Sequence, residues 1–142
     1  MTISFFAPGD PKGQPRPRAF SRGGHARVFD PGTAEGWKSA VAVAAKPCLP
    51  AEPIAGPVRV TLHFSMRRPK SHYRTGKRAG ELRPDAPGWF TSKPDADNLA
   101  KAVLDAMTTI GTWRDDAQVA ELTVRKTYSG SPGVHVRVEA LS

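Results

Sequence analysis

The chain has 142 residues, of which 39% are hydrophobic, and its formal net charge is +8. This length predicts one domain, residues 1–142, with a modest core. No apolar run approaches the roughly 20 residues that a membrane-spanning helix needs, which argues against an integral membrane protein. The positive charge favours a polyanionic partner, nucleic acid before a membrane surface; a merely solvated basic surface has the same composition.

The single cysteine, Cys48, excludes an internal disulfide and a zinc site built on cysteines. The N-terminal sequence MTISFFAPGDPKG lacks the basic segment and the apolar segment that together mark a secretory signal. We therefore expect a cytoplasmic protein with no membrane partner.

The chain begins with a predicted strand, residues 2–7, and a basic, proline-rich arm follows it. Five basic residues lie in this arm with no acidic residue between positions 11 and 29: Lys12, Arg16, Arg18, Arg22 and Arg27. Prolines limit the entropy that is lost on docking, and arginine binds phosphate through two parallel hydrogen bonds. The arm is a candidate nucleic-acid contact, with a flexible surface loop as the alternative. Residues 27–29 are predicted to form a short strand that pairs back toward the first.

The middle of the chain predicts a helix and then a strand. Residues 33–46 have an apolar stripe of helical period, and Thr33 is placed to cap the helix. Residues 58–66 alternate strictly between apolar and polar side chains, which is the pattern of a half-buried strand.

A long irregular segment, residues 67–93, follows this strand and carries eight Lys or Arg residues against Glu81 and Asp85. Loops of this length are usually functional or disordered. Its basic residues form a candidate electrostatic clamp. The candidate contacts are Arg67, Arg68, Lys70, Arg74, Lys77, Arg78 and Lys93. Aromatic residues can stack on unpaired bases, but we expect Trp89 and Phe90 to anchor the loop on the core.

The second predicted helix contains the charged residues of greatest interest. An apolar stripe from Leu99 to Ile110 has the helical period. Asp95 is either the N-cap or the last extended residue before the helix. Asp95 and Asp97 point the same way if the backbone between them is extended. Lys101 lies one turn beyond Asp97, so its ammonium group can reach back toward the same point.

Two further acidic residues, Asp115 and Asp116, precede the next strand-like run. Three carboxylates around one point, those of Asp95, Asp97 and Asp116, would suit a hard cation such as Mg²⁺. Lys101 would then serve the chemistry rather than bind the metal. Ordinary helix capping and turn formation explain the same residues, and the spacing alone does not decide between the two interpretations. We expect Asp115 to order the turn.

The chain is predicted to end in a hairpin of two strands, residues 119–128 and 134–140, around a turn at residues 129–133. Ala120, Leu122 and Val124 are expected to share one face of the first of these strands. The predicted order is β(β)αβαββ, which indicates a single α+β domain with two helices packed on a mixed sheet.

Three sequences within residues 93–128 carry a family resemblance: Pro-Asp-Ala-Asp-Asn-Leu-x-Lys, Leu-Asp-Ala-Met and Trp-x-Asp-Asp-Ala-Gln-Val. They resemble the RusA family of Holliday junction endonucleases, which is common in prophages. The resemblance implies Mg²⁺-binding aspartates at Asp95, Asp97 and Asp116 and a catalytic lysine at Lys101. It also implies a DNA-contacting arm and a homodimer that acts on branched DNA. Some members have arginine immediately before the first aspartate, where this chain has Pro94.

We therefore expect a Mg²⁺-dependent, structure-selective DNA endonuclease that resolves Holliday junctions by paired incision, in recombination and repair. Two alternatives remain open at this point. One is a general DNA or RNA nuclease that uses the same carboxylates. The other is a non-catalytic DNA-binding protein in which the aspartates are structural.

Overall fold

A computed structural model describes residues 1–15, 21–22, 25–26 and 32–142 of the chain. It has an α+β fold in which two helices pack on a four-stranded mixed sheet, as the sequence pattern predicted. The elements in chain order are β1 (Thr2–Pro8), β2 (Ser21–Arg22), β3 (His25–Ala26), α1 (Gly32–Ala45), β4 (Val58–Met66), α2 (Ala96–Thr109), β5 (Val119–Tyr128) and β6 (Gly133–Ala140). The short strands β2 and β3 pair with each other in a separate two-stranded sheet, and the strand predicted at residues 27–29 lies outside the described residues.

The four-stranded sheet has the strand order β1–β6–β4–β5. β4 pairs in parallel with β5 and antiparallel with β6, and β1 pairs antiparallel with β6. Because a parallel pair needs a crossover connection, the chain between β4 and β5 contains α2. This βαβ unit brings the end of α2 and the start of β5 to the same side of the domain.

The predicted hairpin of the last two strands is wrong, because β4 lies between β5 and β6. The chain crosses the end of β4, where the backbone N–H of Ser129 donates to the carbonyl oxygen of Met66 at 2.9 Å. Burial explains the arrangement. The apolar residues of β4 are almost fully buried, as are Val134, Val136 and Val138 of β6, whereas no residue of β5 is fully buried and this strand takes the edge of the sheet.

The apolar face predicted for β5 is only partly correct. A register irregularity opposite Val58 and Arg59 skips Ala120, which is exposed. Leu122 is 42% exposed, and Val124 is half-buried against the core. An edge strand is covered on fewer sides than a central one, so alternation in its sequence does not guarantee burial.

The core lies between the sheet and the two helices. β4 contributes five alternate residues that are at most 6% exposed: Val58, Val60, Leu62, Phe64 and Met66. The predicted stripe of α2 is buried against them, and Trp37 and Val41 of α1 join the same cluster. Trp113 is 1% exposed, and its indole N–H donates to the hydroxyl of Thr108 at 2.7 Å. Among the described residues, no helix is both long and apolar enough to cross a membrane.

The helix boundaries agree with the sequence except at the start of α1. Gly32 is already helical, so Thr33 lies inside the first turn and is not the N-cap. Asp95 is the N-cap residue of α2, with an extended backbone (φ −68°, ψ 152°) and no side-chain capping bond. Gly111 follows α2 with φ +82°, a conformation that favours glycine and ends the helix as predicted.

The loop between β4 and α2 forms a small hairpin at residues 72–83, which we call the basic hairpin. The backbone N–H of Arg74 donates to the Glu81 carbonyl at 2.8 Å, and that of Arg83 donates to the His72 carbonyl at 2.9 Å. These two bonds flank a bridge between Tyr73 and Leu82. The predicted clamp therefore has a defined backbone.

The prediction that Trp89 and Phe90 both anchor the loop on the core is correct for only one of them. Phe90 packs on the core and on the ring of Tyr128, with centroids 5.1 Å apart, as predicted. Trp89 is 62% exposed, so its predicted anchoring role is wrong. Trp89 bridges to Thr127 at the edge of β5, and successive residues of an extended segment point to opposite faces. Only Phe90 therefore points toward the helices, while Trp89 stacks with Arg125 at 5.8 Å.

Candidate active site

A groove of about 370 Å³ between α2 and β5 brings together three of the predicted site residues. Asp97 and Lys101 line it from α2, and Asp116 lines it from the turn that precedes β5. The rest of the lining is apolar: Ala100, Leu104, Leu122 and Val124. Two carboxylates and one ammonium group thus share an open groove with an apolar wall.

The helical period explains why Asp97 and Lys101 occupy the same side of α2. Residues four apart lie one above the other on a helix, and this pair lies off the buried stripe. Both side chains are exposed to solvent, and the Asp97 carboxylate accepts the N–H of Asn98 at 2.9 Å. They are therefore available to a bound molecule.

A capping box at Asp115 shapes the turn that carries Asp116. The Asp115 carboxylate accepts the N–H of Ala117 at 2.9 Å, and the Gln118 side-chain oxygen accepts the N–H of Asp115 at 3.2 Å. The two bonds together close one helical turn from both ends. The prediction that Asp115 orders the turn is confirmed.

Gln118 has a structural role that the sequence analysis missed. Its amide nitrogen donates to the carbonyl oxygens of Ile54 and Gly56 at 2.8 and 2.9 Å, while its oxygen also accepts the N–H of Arg114 at 2.9 Å. The side chain therefore ties the Asp116 turn to the segment that enters β4. The signal in the sequence was the glutamine three residues after an aspartate, which is a capping-box spacing.

The charge of Asp116 is held at an energetic cost. Partial desolvation raises the pKa of the Asp116 carboxyl most, followed by its hydrogen bond with Asp115 and the negative charges of Asp115 and Asp105. The ammonium group of Lys101 opposes this rise in the pKa. Asp105 also forms an ion pair with Lys38 of α1. Residues in the groove therefore interact electrostatically across α2 and the following turn.

Asp95 lies outside this groove. It lines a neighbouring cavity of about 570 Å³ together with Lys93, Pro94 and Asn98. Within the part of the chain that the structure describes, no three acidic, histidine or cysteine side chains are grouped closely enough to hold a metal ion. The structure thus brings Asp97 and Asp116 to one groove, and the three-carboxylate metal site stays a prediction.

The N-terminal arm reaches the beginning of α2. The backbone N–H of Gln14 donates to the Asn98 carbonyl at 3.1 Å, and a Cβ at Gly13 would overlap the Asn98 amide. Lys12 is half-buried in this contact region. Arg16 and Arg18 lie outside the described residues, and only the backbone of Arg22 is described, in β2.

The predicted contacts in the long loop differ in their availability. Arg67 pairs with Asp10 at 3.1 Å, and Arg68 donates to the Pro87 carbonyl at 2.7 Å and stacks on Tyr128 at 5.1 Å. Both arginines are therefore engaged within the domain, and Arg68 joins two parts of the loop. The other candidates are exposed or half-buried on its surface: Lys70, Arg74, Lys77, Arg78 and Lys93.

Lys126 on β5 is a second residue that the sequence analysis left unassigned. Its ammonium group donates to the carbonyl oxygens of Ser92 and Pro94 at 3.1 and 3.0 Å and lies over the Phe90 ring at 5.1 Å. It therefore fixes the backbone just before Asp95. Lys126 pairs with Phe64 in the sheet and so points toward the helices, where a lysine breaks the apolar pattern. A lysine at an inward-facing position of the strand was the sequence signal that could have indicated this role.

An open groove with acidic residues and a lysine, on a strongly basic chain, has the chemical groups that hydrolysis of a polyanionic substrate requires. The chain belongs to the RusA family: the family described as Endodeoxyribonuclease RusA matches residues 8–139, nearly the whole chain. This membership identifies an endodeoxyribonuclease. The chain is also 36% identical over 145 residues to the uncharacterized protein YqaN of Bacillus subtilis (strain 168), covering 99% of this chain and 97% of that protein.

We predict that Asp116→Asn raises the melting temperature in metal-free buffer at neutral pH. An acid with a raised folded-state pKa contributes stability below its unfolded pKa and loses it as pH rises through the folded value. An amide does not ionise, so the variant escapes this loss. Thermal unfolding at several pH values measures the difference, which should vanish below the ordinary aspartate pKa of about 3.9.

The exposed acid Glu52 provides the matched control, because Glu52→Gln also removes one negative charge. This control should leave the melting temperature nearly unchanged. If Asp116→Asn melted at or below the wild-type temperature at neutral pH, the proposed electrostatic cost in the groove would be absent.

Proposed function

We propose that this protein is a Mg²⁺-dependent, structure-selective endodeoxyribonuclease that resolves Holliday junctions in recombination and repair, acting in the cytoplasm. Family membership supports the endodeoxyribonuclease activity. The observation that carries the site assignment is the groove that Asp97, Lys101 and Asp116 share. The net charge of +8 supports a nucleic-acid substrate.

Mg²⁺ is the cation that we propose for the site, with Asp95, Asp97 and Asp116 as its ligands. Mg²⁺ binds oxygen and usually retains several waters, so a few carboxylates in an open groove are a suitable donor set. The raised pKa of Asp116 fits this proposal, because partial desolvation and the neighbouring carboxylates of Asp115 and Asp105 disfavour its negative charge, which a bound cation would compensate. When bound, the ion would activate water and neutralise charge that develops on the phosphate.

Lys101 has a different role in this proposal. An ammonium group has donors but no lone pair, so Lys101 cannot be a metal ligand. Its position one turn from Asp97, within electrostatic reach of Asp116, suits it to orient the nucleophile or stabilise a negatively charged transition state. Asp115 and Gln118 keep the Asp116 turn in shape through the capping box.

DNA would contact the groove and the basic surfaces beside it. The apolar wall, with Leu122 exposed at its edge, suits the deoxyribose of a strand in the groove. The arm with Lys12, Arg16, Arg18 and Arg22, and the exposed lysines and arginines of the long loop, would bind phosphates on either side. Such contacts make affinity depend strongly on salt.

We predict that Asp97→Asn lowers cleavage of a four-way junction by about a hundredfold or more, as expected for a lost electrostatic group at a reaction centre. Junction binding should be unchanged or tighter, because a repulsion against phosphate is removed. Lys101→Ala should lose most of the rate while metal affinity is kept. The measurements are cleavage of a labelled junction with Mg²⁺ and binding in EDTA.

The control is Glu52→Gln, which should cut like the wild type. Asp97→Asn cutting at the wild-type rate would remove Asp97 from the site. A panel of junctions, flaps, duplex DNA and RNA in the same assay tests the specificity, since equal cleavage of all substrates would indicate a general nuclease.

We predict that Lys126→Met lowers the cleavage rate by roughly tenfold, because hydrogen bonds from a charged donor are worth about 1.5–3 kcal/mol each. The substitution removes the bonds that hold the backbone before Asp95, a proposed Mg²⁺ ligand. The Mg²⁺ concentration for half-maximal rate should therefore rise. Lys126→Arg should recover part of both. Arg125→Met, a neighbour that points to the other face of the sheet, is the control. An unchanged Mg²⁺ dependence in Lys126→Met would contradict the positioning role.

We also propose that the working unit is a homodimer. A junction is resolved by two incisions on opposing strands, and a two-fold dimer places identical sites in matching positions. Sedimentation equilibrium should give twice the monomer mass, and a cruciform plasmid should be linearised within one binding event. A monomer that yields only nicked circles at saturating protein would contradict both the dimer and the resolvase assignment.

A further inference from the structure

The basic hairpin carries a cavity of about 340 Å³ that is separate from the groove. Three arginines line this cavity, together with one acid and two other residues: Arg74, Arg78, Arg83, Asp85, Thr75 and Pro84. Arg83 was not among the residues that the sequence assigned to DNA contact. The cavity therefore adds Arg83 to the candidate DNA contacts. It also brings the guanidinium groups of three arginines to one place on the surface.

The backbone of the hairpin explains why these arginines converge. Tyr73 and Leu82 are directly opposite, so Arg74 and Arg83 are diagonal neighbours on the same side of the ribbon. A single helical turn at the tip, Gly76–Arg78, returns Arg78 toward them. Arg83 is held by its own hairpin, since its Nε–H donates to the Tyr73 carbonyl at 3.4 Å.

The charges in this cavity are unbalanced. Three guanidinium groups face one carboxylate, and within the described ranges none of the three is ion-paired with an acid at 4 Å or less. Arg67, by contrast, is paired with Asp10. Like charges held around one cavity repel one another unless an anion joins them. The planar guanidinium group matches the geometry of phosphate oxygens.

A series of contacts connects the hairpin to the candidate active site. The ring of His72 meets that of Tyr128 at 4.8 Å, and Tyr128 meets Phe90 at 5.1 Å. Lys126 lies over Phe90 and donates to the carbonyl of Pro94, which directly precedes Asp95. The base of the basic hairpin, next to the cavity, therefore packs on the same edge of the sheet that carries Lys126 and the segment before Asp95.

We propose that the cavity formed by Arg74, Arg78 and Arg83 binds a backbone phosphate of the DNA, away from the phosphate that is cut. This inference rests on the proposed nuclease function and adds to it a discrete phosphate site that fixes the position of the substrate. A diffuse basic surface would attract DNA without requiring particular arginines, and this difference is measurable.

The test is equilibrium binding of a fluorescent four-way junction in EDTA, where no cleavage occurs. Arg83→Gln should weaken binding about tenfold, the loss expected for a charge-assisted hydrogen-bonded contact of about 1.4 kcal/mol. Arg83→Lys should recover little, because an ammonium group cannot form the paired bonds of a guanidinium group. Asp85→Asn should tighten binding, because it removes the negative charge that shares the cavity.

The matched control is Lys77→Gln, which removes one charge from the same hairpin outside the cavity. It should weaken binding only about twofold. Thermal unfolding of each variant checks that the hairpin variants are folded. Inorganic phosphate, followed through the arginine Nε–H signals in NMR spectra, should shift Arg74, Arg78 and Arg83 at high concentration, and a short duplex should do so at much lower concentration.

The outcomes separate this inference from the proposed function. Equal losses in Arg83→Gln and Lys77→Gln, or full recovery in Arg83→Lys, would overturn the phosphate site and leave the nuclease assignment intact. Tenfold weaker binding in Arg83→Gln together with wild-type cleavage by Asp97→Asn would support the phosphate site and contradict the proposed catalytic groove. Shifts with phosphate and none with DNA would overturn the assignment of the ligand as DNA.

Discussion

The packing of α2 on the parallel pair of β4 and β5 is the constraint on which the candidate site depends. The buried stripe of α2 sets the rotation of the helix, and that rotation leaves Asp97 and Lys101 on the exposed side. The crossover connection then returns the chain beside α2, where Asp116 enters the groove. The same apolar contacts that stabilise the fold therefore place groups from two separate segments next to one another.

This arrangement keeps a charged site on a stable frame at a local cost in stability. Partial desolvation raises the pKa of Asp116 most, and its hydrogen bond with Asp115 and the negative charges of Asp115 and Asp105 raise it further. Hydrogen bonds to backbone carbonyls support the segments that carry these acids: the Gln118 amide joins the turn to the segment before β4, and the Lys126 ammonium group fixes the backbone before Asp95. A site that is held by its surroundings while its charges remain uncompensated is suited to bind a cation or to act on a phosphate.

The exposed edge of β5 connects the groove to the basic loop. Residues 88–90 extend the sheet there, and Phe90 anchors the loop while Trp89 faces solvent beside Arg125. The loop is therefore part of the folded domain and carries its arginines in defined positions. Arg68 donates to the Pro87 carbonyl within the loop and Arg67 pairs with Asp10, so part of the positive charge of the loop is engaged in contacts inside the domain.

The sequence alone determined the elements with strong periodicity and the residues with an unusual local spacing. The strict alternation of β4 and the stripe of α2 follow from burial on one side, so each was correct within a residue or two. Local spacing singled out Asp97, Lys101 and Asp116 as candidates, and the family resemblance favoured a site over ordinary capping. Tertiary packing alone decided the strand order. The alternation of apolar and polar residues in β5 and β6 predicts strands but does not predict which strands pair. The exposure of Trp89, the tie formed by Gln118 and the cavity around Arg83 likewise depend on contacts between segments distant in sequence, which local patterns do not encode.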